Sequence, residues 1–439
     1  MEKISGVAAP KPVSKDVNPV YIIAALFFVF GFLTWLNSVL IPYLKIACQL
    51  NNLESYLVAF AFYIAYLVMA IPSSWILNFT GFKKGMALGL IVISVGAIIF
   101  IPAALTRTYS LFLAGLFVQG TGLAILQTAS NPYITILGPM ESAARRISIM
   151  GIFNKLAGSI APIILGGVAL KNVDAIQKGL LKMNGIEKEN VLNMLAQRVI
   201  VPYIIIFVVL ILLAVFVYFS GLPTISMDKD GEVKDSTAKP QTSILQFPHL
   251  LLGVFTLFLY VGMEVMAGDS VISYGASQGI ALSTAKFFTT CTLFGMMTGY
   301  VIGIIGIPKY FSQERALIAS AFTGVVFSLA AVLTTGVMSV LFIALLGLAN
   351  SLMWPALWPL ALKGLGKFTK IGSSLLVMGI AGGALIPLLY GYIVDHLTTA
   401  GYTKAISATH GYWIMVPCYL IIAYYALAGH KLKPGKRLI

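Results

Sequence analysis

Residues 26–43, LFFVFGFLTWLNSVLIPY, and residues 257–274, LFLYVGMEVMAGDSVISY, align without a gap, so that Gly31 falls on Gly262 and Tyr43 on Tyr274. Each stretch is apolar over nearly the ~20 residues that a helix needs to cross the hydrocarbon core of a bilayer. Two further matches follow in the same order. Gly158, Pro162 and Gly166 set on Gly383, Pro387 and Gly391, and Gln127-Thr128 with Pro132 set on Asn350-Ser351 with Pro355. The chain therefore reads as a duplicated set of membrane helices. Parallel repeats of this kind place a transported substrate near the midplane, between the halves.

Working outward, apolar segments run at roughly 19–43, 55–77, 84–104, 109–137, 143–169, 200–222, 247–275, 284–305, 313–334, 337–362, 370–396 and 407–430. Only helices and closed barrels satisfy every backbone group in lipid, and these runs lack the period-2 alternation of a barrel strand. The fold class expected is an all-α polytopic membrane protein, with twelve transmembrane helices in two pseudo-symmetric six-helix bundles. The polar stretch SMDKDGEVKDSTAKPQTS (226–243) carries charges of both signs and no apolar period, as a linker does. The expected organisation is a tail over 1–18, a bundle over 19–222, a linker over 223–246, a bundle over 247–430 and a tail over 431–439.

Composition agrees. Of 439 residues, 59% are hydrophobic and 10% charged, against roughly a quarter charged in a soluble domain. The net charge of +14 comes from Lys and Arg in short clusters between apolar runs, which does not form the basic face of a nucleic-acid binder. It reads as topology. With the N-terminus inside, nineteen of the 29 bases fall on inner segments and nine outside, namely Lys45, Arg107, Lys171, Lys178, Lys182, Lys188, Arg198, Lys286 and Lys404. Both termini are thus expected in the cytoplasm, with the chain in the cell's inner membrane. Residues 1–18 are polar and lack a cleavage pattern, so they read as a cytoplasmic tail and not a signal peptide.

Enzymatic readings find little support. Cys48, Cys291 and Cys418 lie far apart without metal-ligand or redox spacing, and the four histidines form no zinc pattern. No phosphate loop, nucleophile elbow or catalytic carboxylate pair is present, so neither an enzyme nor a cofactor is expected.

The charges inside the spans stand out, because ionisable groups within the bilayer are costly and by default functional. Glu264 and Asp269 sit inside one predicted helix, Asp395 lies near the outer end of another, and Lys155 is their basic counterpart. Glu264 or Asp269 would take up a cation while Lys155 pairs with one of them or meets substrate; a purely structural ion pair is the competing reading. Asn37, Ser38, Gln127, Thr128, Asn131, Asn154, Asn350 and Ser351 supply amides and hydroxyls of the kind sugars require, and Trp35, Trp354 and Trp358 offer faces for a pyranose ring. Such residues also serve as glue between membrane helices.

The stretches QTASNPYITILGP (127–139), LTWLNSVLIPYLK (33–45), SIMGIFNKLAGSIAPIILG (148–166) and YVGMEV (260–265) resemble the fucose/galactose/glucose permease branch of the major facilitator superfamily. The resemblance spans nearly the whole chain, while the general inner-loop signature of the superfamily is degraded to NFTGFKKG (78–85). It implies the major facilitator fold, alternating access and cation-coupled uptake of a hexose or related sugar. Sugar contacts would be Asn37, Gln127, Asn131, Asn154, Lys155, Asn350 and Trp354. The departures are informative. Where the fucose permease pattern has Asn-Asp and Glu-Thr, this sequence has Asn37-Ser38 and Gln127-Thr128. The repeat-equivalent of Ser38 is Asp269, so coupling to sodium or a proton is expected to have moved to Glu264 and Asp269 on the seventh helix. The alternatives are a sugar uniporter in which Lys155 acts as a fixed internal cation, a non-transporting sugar sensor, and an enzyme acting on a lipid-linked sugar. A monomer is the expected state.

Overall fold

A computed structural model describes residues 19–136, 143–180, 182–222, 243–307, 309–365 and 368–432. Among these, eleven helices are long and apolar enough to span a membrane, and the longest, Asn52–Thr106, is two spans folded against each other at Gly81. Gly81 has φ 69°, a left-handed conformation that a residue with a Cβ adopts only at a cost, and it lies in the NFTGFKKG stretch. The twelve spans are, in order, Pro19–Ala47, 52–80, 82–106, Tyr109–Ile136, Ala143–Ala169, Ile200–Phe219, 248–277, Leu282–Gly306, Gln313–Leu333, Gly336–Leu362, 369–399 and Lys404–Lys431.

Several spans are broken. The first divides into Pro19–Trp35 and Asn37–Ala47, the seventh into Pro248–Asp269 and Val271–Ser277, and the tenth into Gly336–Asn350 and Met353–Leu362. The eleventh changes to a tighter turn at Gly379–Ala381. Helices broken at membrane depth are tolerated where they face protein or a cavity, and transporters place their sites there. The connection between the fifth and sixth spans, which lies between the apolar segments 143–169 and 200–222, forms the helices Val173–Leu180 and Gly185–Gln197. Their faces rest on the bundle: Leu192, Leu195 and Ala196 are buried, and Tyr43 donates its hydroxyl to the carbonyls of Leu195 and Ala196 at 2.6 and 2.9 Å.

The halves repeat in packing as well as sequence. A Cβ at Gly31 would overlap the Asn154 backbone where the first span crosses the fifth, and one at Gly382 would overlap the Phe258 carbonyl where the eleventh crosses the seventh. Tyr274, the repeat partner of Tyr43, is likewise anchored, to Ser339 and to Thr409. Across the halves, the second span lies along the eleventh, with the Tyr56 and Tyr390 rings 5.4 Å apart. The fifth lies along the eighth, where Thr290 donates to the Ser159 carbonyl at 2.8 Å.

Because lipid offers no hydrophobic drive between helices, this backbone proximity is what association rests on. Gly382→Ala is therefore expected to abolish the monodisperse folded peak in detergent size-exclusion chromatography. Gly167→Ala, where a Cβ meets nothing within 4 Å, is expected to leave that peak unchanged. Equal profiles for the two variants would contradict the packing argument.

Candidate functional site

The fifth span carries Lys155 and the seventh carries Glu264, and the two meet across the halves with Nζ 2.5 Å from Oε1. Their side chains are only 9% and 11% exposed. Of the two acids expected to compete for Lys155, Glu264 is the one bonded to it. The ammonium also lies 4.7 Å from the centre of the Trp35 ring, within the range of a cation–π contact.

Trp35 occupies a slot made by two glycines. A Cβ at Gly158 on the fifth span or at Gly268 on the seventh would overlap its indole, and its far edge packs on Leu293 and Met296 of the eighth span. A residue at the break of the first span thus reaches from its own half into the other. Its indole Nε1 has no hydrogen-bond partner among the described residues.

Asp269 is the last residue before the break in the seventh span. It is fully buried, and neither carboxylate oxygen receives a hydrogen bond from any described residue. Both amide atoms of Asn37 and the hydroxyl of Tyr63 are also enclosed without partners. The charges of Glu264 and Lys155 act on Asp269, and Asp269 acts on Tyr63. The set is uneven: one buried amine stands against two carboxyl groups and bonds only that of Glu264. A lone carboxylate at this depth is too costly unless something neutralises it.

The remaining polar residues sort into two kinds. Gln127 donates to the Tyr66 hydroxyl at 2.8 Å, and its repeat partner Asn350 accepts from the Tyr419 hydroxyl at 2.9 Å. Gln127, Asn154 and Trp354 are half-buried, whereas Asn37 and Asn350 are enclosed. Asn154 makes one long bond to the Phe27 carbonyl at 3.4 Å. Trp354 stacks on Trp358 with centroids 5.2 Å apart and lies 6.4 Å from Tyr260. Ser38, Thr128 and Ser351 spend their hydroxyls on carbonyls of their own spans, as hydroxyl side chains in helices often do. Asn131 lies on the fourth span, but its side chain is outside the described residues.

Sequence reasoning missed the tyrosines. Tyr260, Tyr300 and Tyr419 lie within electrostatic reach of Glu264, and Tyr63 and Tyr66 stack 6.5 Å apart on the second span. A signal existed: membrane tyrosines gather at the interfaces, and these stand in mid-span. Among the described residues, no three His, Cys, Asp or Glu gather to hold a metal ion.

Comparison with known proteins places this arrangement. The Major Facilitator Superfamily profile matches residues 23–386. A glucose/galactose transporter of Brucella abortus is 34% identical over 409 residues, covering 92% of each chain. The L-fucose-proton symporter of Escherichia coli is 29% identical over 383 residues, covering 86% of this chain and 87% of that one. The crystal structure of FucP, a major facilitator transporter, in its outward conformation aligns with a TM-score of 0.69 at 27% identity, over 93% of this chain and 98% of that one. Two broken six-helix halves with an ion pair between them, a matching profile over most of the length and relatives aligned nearly end to end lead to one assignment: the chain belongs to the Major Facilitator Superfamily, in the branch of the glucose/galactose and fucose transporters.

Proposed function

We propose that this protein imports a hexose or related sugar together with a cation, by alternating access of the two halves. The observation that carries this reading is the Lys155–Glu264 pair, which joins the halves at mid-span, together with a buried Asp269 that no described residue hydrogen-bonds. Gln127, Asn154 and Trp354, all half-buried, supply amide groups and an aromatic face for a sugar ring. Asn37 and Asn350 hold unsatisfied amide donors. Relatives carry names of glucose, galactose and fucose transport, which supports a hexose as substrate.

Coupling follows from charge. Glu264 already has its cation in Lys155, so Asp269 is the group that needs one, and a proton or sodium ion arriving there neutralises it. Sugar and ion then favour the same closed arrangement, each raising the other's affinity by an equal factor. The excess of Lys and Arg on the segments that include the chain ends supports an orientation with both termini in the cytoplasm. Every residue of the proposed site comes from one chain, which supports a working monomer.

Uptake of labelled hexoses and N-acetylhexosamines into proteoliposomes tests this, under an inward proton gradient, an inward sodium gradient or neither. The expected result is accumulation under one gradient alone. Equal rates of equilibration in all three arms would instead favour a uniporter, a reading to which the closed Lys155–Glu264 pair also lends itself. Absence of sugar flux in every arm would overturn transport.

A further inference from the structure

At the ends of the spans away from Pro19 and Leu432, each half grips the other with one carboxylate. Asp395, in the last turns of the eleventh span, accepts from the backbone N–H groups of Asn52 at 3.2 Å and Leu53 at 2.6 Å, and from the Asn52 side-chain amide at 2.6 Å. Asp174, on the short helix after the fifth span, accepts from the N–H groups of Leu282 at 3.0 Å and Ser283 at 3.2 Å. These are the opening amides of the second and eighth spans, which have no partner within their own helices. A carboxylate there gains charge-assisted hydrogen bonds and a favourable helix dipole.

The two contacts are repeat-related. Gly158, Pro162 and Gly166 match Gly383, Pro387 and Gly391, so the fifth and eleventh spans are equivalents, and the second and eighth hold the same order in their halves. Each acid therefore stands at the end of the same span of its half, Asp395 within the last turns and Asp174 just beyond them, and caps the same span of the other. Other acids at the ends of the spans behave differently: Glu54 caps its own helix, Glu189 pairs with Arg107 within the first half, and Glu314 faces His430 within the second. Among the described residues, the two aspartates make no ion pair with Lys or Arg. Lys45 donates to the Asn52 side-chain oxygen, so Asn52 is held between Lys45 and Asp395. Both aspartates are half-buried, close enough to water that their bonds exchange for hydration when the ends part.

We propose that Asp174 and Asp395 are positioning residues of the transport cycle, forming a two-point latch that holds the outer ends of the halves together. Releasing both opens the central site to the outside. The latch rests on the alternating-access reading for its consequence, and on no assumption about which sugar or ion is carried.

The test reads the separation of the halves directly. In a protein with Cys48, Cys291 and Cys418 replaced by serine, Thr106→Cys and Thr335→Cys put spin labels on exposed residues at the outer end of either half. Pulsed electron resonance in nanodiscs then gives the distance distribution, with and without the sugar panel, at low pH and in sodium. Adding Asp174→Ala and Asp395→Ala together is expected to raise the ratio of long to short separations at least tenfold. Each single substitution should give a smaller rise, with the unfolding temperature little changed. The single variants carry the test if the double variant does not fold. Identical distributions in the parent and in the variants would overturn the latch alone, provided the parent shifts with sugar or ion. A parent fixed at one separation under every condition would overturn both the latch and alternating access.

Discussion

Replacing Lys155 with methionine is expected to reduce sugar uptake by a hundredfold or more. The substitution keeps the length and apolar stem of the side chain but removes the charge that Glu264 meets at 2.5 Å. Breaking a buried pair by deleting one partner typically costs about 3–5 kcal/mol, because the other charge is left uncompensated. That is more than two powers of ten in any equilibrium that must pass through the bridged state. The ring of Trp35 loses its cation at the same time. Lys155→Arg is expected to restore only part of the activity: it keeps the charge, but a planar guanidinium replaces a compact ammonium over an indole already fixed between Gly158 and Gly268. Lys155→Met combined with Glu264→Gln removes both charges, and should recover thermal stability relative to Lys155→Met without recovering accumulation. Uptake into proteoliposomes and thermal unfolding of the purified protein, read as a double-mutant cycle, provide the check. Near-parental accumulation by Lys155→Met would show that the bridge is structural only.

Much of this centre was legible in the sequence, and the reasons divide cleanly. Lys155, Glu264 and Asp269 stood out because charge in an apolar run is rare and costly. The glycines and prolines at matching offsets exposed the repeat, and Gly31 and Gly382 then turned up at equivalent crossings. What the sequence lacked was any signal of which acid Lys155 would meet across the halves. That Lys155 bonds Glu264 and leaves Asp269 without a partner depends on how the fifth and seventh spans cross. Trp35 reads in the sequence as a face for a pyranose ring or as glue between helices, yet its place is set by Gly158 and Gly268 on two other spans. The helices Val173–Leu180 and Gly185–Gln197 were hidden by their charges, since a polar stretch between spans reads as a loop until its few apolar residues are seen resting on the bundle. Asp174 and Asp395 gave no sign that they would cap helices belonging to the opposite half.

The same uneven charge sets the second large effect. Asp269→Asn keeps the shape of the side chain and makes permanent the neutrality that an arriving cation would confer. The variant should exchange labelled sugar across the membrane at a rate within a few-fold of the parent, because the loaded form is mimicked and the halves can still rock. It should not concentrate sugar. A single charge moving through 100 mV supplies about 2.3 kcal/mol, enough for roughly fortyfold accumulation at ~1.4 kcal/mol per factor of ten, and in Asp269→Asn this ratio should fall to one. Glu264→Gln disturbs a different balance, since it strands the ammonium of Lys155, and its loss of accumulation should come with weakened stability that Asp269→Asn does not share. Measuring exchange, accumulation and unfolding on the two variants separates the roles. If Asp269→Asn still concentrates sugar while Glu264→Gln only equilibrates it, the coupling ion acts at Glu264, in competition with Lys155. If both concentrate it, the seventh span does not carry the coupling, and the departure from the family's acids at Ser38 and Gln127 needs a different compensation.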